Sequence, residues 1–191
     1  MALRHAANRF RKTWVDGWNG KTWIPKVARG SLSSYIRPLS DNPLGMKLRN
    51  FLLDPDEPLI YSVVRISSTT ETYLVCDQAT DCADTIYSQV ALLRRAAYAC
   101  EVYKAVAQTA ASGFSAASMR VLTGTYACDR VSAASLASPY PNLNLSEERV
   151  ILPADVLITR DHELVIENRI YDVEDIYEEY GLTICRCVVH K

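Results

Sequence analysis

The 191-residue sequence has none of the short glycine-rich motifs that bind phosphate groups. Neither G-x-x-x-x-G-K-[ST] nor G-x-G-x-x-G occurs, so the signatures of P-loop and dinucleotide-binding proteins are missing. The serine-hydrolase motif G-x-S-x-G is missing too, because residues 113–117 read GFSAA and lack the final glycine. No apolar run approaches the roughly 20 residues that span a bilayer, and we expect no membrane partner. These absences favour a binding or assembly protein over an enzyme.

Sulfur and imidazole ligands are also sparse. There are three histidines and six cysteines, and no Cys-x-x-Cys pair occurs. The basic start MALRHAANRFRKTW lacks the apolar core of a signal peptide, so we expect synthesis in the cytoplasm and free thiols. Cys185, Cys187 and His190 could donate to a metal, but no further ligand is indicated, and a half-buried strand explains the two thiols more simply. We therefore expect neither a metal nor a cofactor.

The net charge of −1 is unevenly distributed along the chain. Residues 1–50 hold ten Lys/Arg against two acidic residues, which gives +8. The remaining 141 residues hold eleven basic and twenty acidic groups, which gives −9. Such asymmetry favours contact between one end and an acidic partner, or head-to-tail contact between copies of the chain.

Residues 1–58 are predicted to form a basic, proline-rich N-terminal arm that is extended and partly helical. Helical spacing of apolar residues predicts a short helix over 1–13, and one further helical turn is predicted at 46–53. Trp14, Trp18 and Trp23 alternate with basic residues in this arm. Such a pattern can stack nucleic-acid bases and neutralise phosphates, but tryptophans more often anchor a segment to its own core or to a neighbour, and we favour the anchor.

Residues 59–191 are predicted to form a β-rich body, a small barrel or sandwich. Residues 59–66 and 71–76 read as a hairpin, and 120–131 reads as another strand. Residues 86–111 are ambiguous. Their alanine content predicts a helix, whereas alternation of apolar residues from Ala96 to Val102 predicts strands. Two strands are favoured there, and a helix stays open.

The terminal segment, residues 150–191, is predicted to be a compact β-meander. Short apolar runs at 156–158, 164–166, 170–173 and 182–189 are separated by polar turns. Asn168 suits a tight turn because asparagine tolerates the left-handed conformation. In the last strand, the cysteines at 185 and 187 share one face and Leu182 and Ile184 share the other.

Two polar groups in this segment are catalytic candidates. Asp161 and His162 are adjacent, so in a strand they would point to opposite faces, and a surface turn is favoured. The densest acidic cluster could serve acid–base chemistry or bind a cation, but a charged edge or a partner-facing patch is more economical. That cluster comprises Glu174, Asp175, Glu178 and Glu179.

The C-terminal string resembles the terminal β region of tailed-bacteriophage neck proteins, the small head-closure or head-to-tail connector subunits. In that family an apolar strand leads to a turn, then to Arg-x-Tyr-x-Val and a closing strand. The corresponding residues here are Leu164–Ile166, Asn168 in place of the usual glycine, Arg169, Tyr171 and Val173. The resemblance implies a virion structural protein with a β-barrel-like body. It also implies a homo-oligomeric ring in the neck that contacts the portal or adaptor protein, tail proteins and packaged DNA.

The sequence thus predicts a ring-forming neck protein, not an enzyme, that connects or seals the DNA-filled head to the tail. One alternative is a nucleic-acid-binding protein that uses the basic arm, and another is a small β-fold hydrolase or metal enzyme around Asp161, His162 and the acidic cluster. The residues expected to contact a neighbouring subunit, an acidic surface or DNA are Arg9, Arg11, Lys12, Trp14, Trp18, Trp23 and the four carboxylates at 174, 175, 178 and 179.

Overall fold

The chain divides into two compact units, each containing one closed six-stranded β-barrel. The first unit comprises Met1–Ala96 and Tyr180–Leu182, and the second comprises Ala97–Glu179 and Thr183–Lys191. The structure, a computed structural model, describes residues 12–34, 48–53, 59–83, 86–107, 118–132 and 147–190. The predicted mainly β fold is therefore confirmed, as two barrels.

The first barrel is built entirely from antiparallel pairs. Its strands follow the order β1-β2-β3-β6-β5-β4, and pairing of Val15 with Ile66 closes β4 onto β1. Val15, Phe51, Tyr73 and Leu93 are fully buried in its core. The strands are β1 (Thr13–Trp18), β2 (Trp23–Ser34), β3 (Leu48–Leu53), β4 (Val63–Ile66), β5 (Thr72–Ala83) and β6 (Ile86–Arg95).

The second barrel follows the order β10-β11-β12-β9-β8-β7 and closes where Leu164 of β10 pairs with Val102 of β7. Numbered from its own first strand, this order is 1-2-3-6-5-4, the same as in the first barrel. The fold therefore contains a repeated topology that the sequence does not reveal as a repeat. The strands are β7 (Tyr98–Ala107), β8 (Ser118–Ser132), β9 (Glu147–Pro153), β10 (His162–Ile166), β11 (Arg169–Glu179) and β12 (Leu182–Val189).

Two tight turns define the predicted terminal meander, and both are present. Glu167 and Asn168 connect β10 to β11 with φ of 50° and 64°, and Tyr180 and Gly181 connect β11 to β12 with φ of 52° and 65°. Two successive positive φ angles are typical of hairpin turns that match the twist of the flanking strands. The left-handed conformation expected at Asn168 is confirmed.

The predicted N-terminal arm is wrong for the described part of residues 1–58, because β1, β2 and β3 belong to the first barrel. Prolines were expected to keep this region out of a sheet, but Pro25 lies within β2. That residue lies where the β1–β2 register shifts, with Val15 opposite Ala28 but Gly17 opposite Ile24, and Lys26 there has φ of 54°. A proline at a bulge removes no required ladder bond. The helical turn predicted at 46–53 is likewise wrong over Leu48–Leu53, and the helix predicted over 1–13 falls almost wholly outside the described residues.

The two-strand prediction for 86–111 is confirmed, and the helix alternative is wrong over 86–107. Cys100 and Val102 are buried in the second barrel, whereas Glu101 between them is exposed, so the burial period is two rather than 3.6. Tertiary pairing on both sides of β7 outweighs the helical propensity of its alanines. In the part of the chain that the structure describes, no helix is long and apolar enough to cross a membrane.

Candidate contact surfaces

The three tryptophans lie on one outer face of the first barrel. Val15 is fully buried in the core, so the alternation of β1 directs Trp14 and Trp18 outward. Trp14 pairs with Arg29, and Trp18 pairs with Trp23, across the β1–β2 ladder. We call the set Trp14, Trp18, Trp23, Arg29 and Arg65 the tryptophan face.

Arginine side chains stack on this face. The Arg29 guanidinium lies 5.6 Å from the Trp14 ring centroid, and that of Arg65 lies 4.5 Å from the Trp23 ring centroid. The Trp18 and Trp23 centroids are 5.3 Å apart with an interplanar angle of 54°. Cation–π contacts at partly exposed sites contribute about 0.5–1 kcal/mol each. The tryptophans are thus anchored to their own barrel, and their predicted packing against a neighbouring subunit stays a prediction.

Asp16 links three elements beneath this face. Its buried carboxylate accepts hydrogen bonds from the Lys26 N–H (3.1 Å), the Ser67 hydroxyl (2.6 Å) and the Arg65 guanidinium (2.9 Å). Burial by itself raises the pKa of Asp16, but the Ser67, Lys26 and Arg65 hydrogen bonds together hold that pKa below its ordinary value. Asp16 is therefore charged at neutral pH and partly neutralises Arg65.

The four predicted acidic contact residues lie on β11 of the second barrel, where arginines meet two of them. Asp175 accepts a hydrogen bond from Arg160 (3.0 Å), which holds the pKa of Asp175 below its ordinary value. Glu174 lies 3.7 Å from the Arg186 Nε. Burial raises the pKa of Glu179, whereas Glu178 is exposed. Glu174 and Glu178 are therefore the exposed members of the cluster, and arginines partly offset Glu174 and Asp175.

The histidines of the hydrolase and metal alternatives lie in different environments, His162 buried and His190 exposed. The turn predicted at Asp161 and His162 is present, because the His162 N–H donates to the Thr159 carbonyl at 3.1 Å, and Asp161 is exposed in it. His162 itself is buried, and its Nδ1 accepts a hydrogen bond from the Thr159 N–H (3.0 Å). The exposed His190 Nδ1 lies within hydrogen-bond distance of an Asp172 carboxylate oxygen (3.0 Å), a contact that the sequence did not indicate. Among the described residues, no group of three or more His, Cys, Asp or Glu side chains is placed to hold a metal ion.

Four thiols lie together in the core of the second barrel, at positions 100, 128, 185 and 187. None of the four forms a disulfide, and neither does the buried Cys76 of the first barrel. A hydrogen bond with Cys100 and burial raise the pKa of Cys128, and burial raises the pKa of Cys185 to about 12. Since the thiolate is both the nucleophile and the metal ligand, thiols with such raised pKa values act as core residues.

The strongest apolar surface signal lies on the β7–β8 hairpin. We call residues 103–107 of β7 and 118–123 of β8 the ribbon. Six large hydrophobic side chains are exposed among the described residues, and four of them lie in the ribbon. They are Val106, Met119, Val121 and Leu122, with 37–51% of their area exposed. The sequence predicts a strand over 120–131, but nothing in it indicates that Val121 and Leu122 are exposed.

The charge asymmetry of the sequence is smaller between the two units than between residues 1–50 and 51–191, but it keeps its sign. Residues 1–96 carry 13 Lys/Arg and 9 Asp/Glu, a net charge of +4. Residues 97–191 carry 8 Lys/Arg and 13 Asp/Glu, a net charge of −5. Residues 180–182, which cluster with the first unit, are uncharged and leave both values unchanged.

Arg9 and Arg11 fall outside the described residues, and Lys12 lies immediately before β1. Comparisons of the chain with protein-family models, with curated proteins and with solved structures each found no match.

Proposed function

We propose that this chain is a structural subunit of a tailed-phage neck that assembles with copies of itself into a ring between head and tail. The observation that carries the proposal is the opposite net charge of its two barrels, +4 and −5. The positively charged unit of one copy attracts the negatively charged unit of another. Such a head-to-tail contact joins unlike surfaces, and it closes into a ring when the rotation between subunits allows.

The phage context comes from the resemblance of the terminal segment. Its turn residue Asn168 and the Arg-x-Tyr-x-Val residues connect and begin β11, where Tyr171 and Val173 are buried in the barrel core. These positions therefore support a barrel body of the kind that the resemblance implies. The portal or adaptor protein, tail proteins and packaged DNA remain the proposed partners of the ring.

Light scattering combined with size-exclusion chromatography tests the proposal. We expect a homo-oligomer of more than two copies at low salt, visible as rings by negative-stain microscopy. Charge attraction is screened over about 10 Å at 0.1 M salt and about 3 Å at 1 M, so the oligomer should weaken as salt rises. A protein that stays monomeric, or that forms a dimer only, at every salt concentration would refute the ring.

A pair of charge reversals locates the contact. Glu178→Lys reverses an exposed charge of the predicted β11 contact row, and Asp155→Lys reverses an exposed charge in the β9–β10 connection of the same barrel. Both variants change the net charge by +2, so only position differs. We expect Glu178→Lys to reduce association more than Asp155→Lys does, and equal effects would exclude β11 from the contact.

The tryptophan face favours nucleic-acid binding as a second function. It places aromatic rings and arginines on one outer face, and the adjoining Lys21 and Lys26 are exposed. Aromatic stacking with a positive surround is how proteins bind single strands without sequence preference. If this function holds, an oligothymidine should quench tryptophan fluorescence, and its affinity should fall steeply with salt. Unchanged fluorescence at low salt would exclude it.

A further inference from the structure

The ribbon extends beyond the paired part of the second barrel. Strand β7 pairs with β10 over Glu101–Lys104 only, and β8 pairs with β9 over Asp129–Ser132 only. Within the described ranges, the stretch 120–127 of β8 therefore has a strand neighbour, β7, on one side and none on the other. Such an edge presents unpaired N–H and C=O groups that can accept another strand.

The ribbon has its own internal supports, which keep this edge in a strand conformation. The Arg120 Nε lies 2.6 Å from a Glu163 carboxylate oxygen, and its guanidinium lies 4.8 Å from the Tyr103 ring centroid. At the bulge after Val102, the Thr123 hydroxyl donates to the Val102 carbonyl at 2.9 Å. The ribbon is thus a preformed docking element, and it loses little conformational freedom on binding.

Two of the features that usually protect an edge strand are weak here. Protection commonly comes from charged side chains, prolines or bulges on the edge, and 120–127 contains one charge, Arg120, no proline and one bulge, at Thr123. The Arg120 charge is offset by Glu163. Val121 and Leu122 instead expose 37% and 50% of their area. A nearly neutral apolar edge can associate with an identical molecule without opposing like charges.

We propose that the ribbon docks on a second copy of this chain, with a strand of that copy adding to the outer edge of β8. This inference rests on the proposed self-association. Two points favour a second copy over a separate peptide. The opposite charges of the two units bring copies together. The ribbon is too small to form a stable interface alone, since its two segments, 103–107 and 118–123, are short beside the roughly 20–30 residues that each partner contributes to such an interface. The ribbon therefore adds apolar contact and backbone hydrogen bonds to a wider homo-oligomeric interface.

A matched pair of variants tests this inference at low salt, where the oligomer is expected to assemble. Leu122→Lys changes the ribbon, and Leu157→Lys changes a side chain of the same barrel that is 90% exposed in the β9–β10 connection. Each adds one positive charge to an exposed leucine position, so folding should be kept in both. We expect Leu122→Lys to raise the dissociation constant at least about tenfold, as for a central apolar contact, and Leu157→Lys to leave it unchanged.

Hydrogen exchange of the wild-type protein gives the second readout. The backbone amides of 120–127 that face away from β7 should exchange fast in dilute monomer and slowly at concentrations where light scattering shows oligomer. If Glu178→Lys dissociates the oligomer while Leu122→Lys does not, the proposed ring is supported and the ribbon inference is refuted. Fast exchange of these amides in the assembled oligomer would also refute strand addition by a second copy. The edge would then be available to bind an extended peptide of another protein.

Discussion

Replacing Asp16 with asparagine should destabilise the first barrel selectively. Asp16 is 6% exposed, and its carboxylate joins β1 to Lys26 of β2, to Arg65 of β4 and to Ser67 just after β4. Asparagine keeps one acceptor oxygen but loses the charge, and its amide nitrogen then faces a cation. A hydrogen bond to a charged group contributes about 1.5–3 kcal/mol.

The expected loss is about 2 kcal/mol of the free energy of unfolding. A fully buried ion pair that loses one partner costs about 3–5 kcal/mol. Arg65, however, keeps 30% of its side chain exposed, and water can replace part of the lost interaction. With a urea dependence of about 1–3 kcal/mol per molar, the unfolding midpoint should fall by roughly 1 M.

The chain offers a selective assay for this change. Its three tryptophans all lie in β1 and β2, so tryptophan fluorescence reports on the first barrel, and the second barrel contributes only tyrosine signal. The control is Asp175→Asn, which removes an equally short contact of 3.0 Å to Arg160 at an exposed position of the second barrel. Surface ion pairs contribute little, so we expect the control to leave the tryptophan transition unchanged.

The same variant should remove a pH dependence. Native Asp16 has a lowered pKa, so its contribution to stability is complete above the pKa of the unfolded chain, about 4. That contribution is lost as the pH falls through the lower pKa of the native state. The wild-type tryptophan transition should therefore weaken below about pH 4 more than that of Asp16→Asn. Equal midpoints for wild type and Asp16→Asn at neutral pH would refute the role assigned to Asp16.

Two further predictions concern backbone packing and the buried thiols. Gly30→Ala should lower the free energy of unfolding, monitored by tryptophan fluorescence, by at least about 2 kcal/mol, because a β-carbon there would lie 2.4 Å from the Leu52 carbonyl oxygen. Gly20→Ala should cost about 1 kcal/mol, because that turn is open and only its φ of 91° opposes alanine, and equal losses would contradict the steric account. Native protein at pH 8 should show slow labelling by a thiol reagent at Cys185, whose pKa is raised to about 12, and labelling should become fast in urea. Rapid labelling of Cys185 in native protein, read by peptide mass spectrometry, would contradict its place in the core.

Local sequence patterns predicted the secondary structure correctly wherever a strand and its partner are close in sequence. The β4–β5 and β10–β11 hairpins, the turn at Asn168 and the choice of strands over helix at 86–107 followed from alternation and turn chemistry. The contact surfaces were less predictable. The tryptophans were identified as anchors, but their arginine partners include Arg65 on a distant strand. The ribbon was missed because Val121 and Leu122 read as ordinary strand residues.

The order of residues by itself determined the β character of the chain, its hairpin turns and its charge asymmetry, since alternation, turn conformation and formal charge are properties of short segments. Only the tertiary structure decided that residues 13–53 complete a barrel, that two barrels share one strand order, and which apolar residues stay exposed. The pairing of Val15 with Ile66 closes the first barrel, and such long-range contacts leave no periodic trace in either strand. Exposure at Leu122 likewise depends on where the neighbouring strands end rather than on its own residue type.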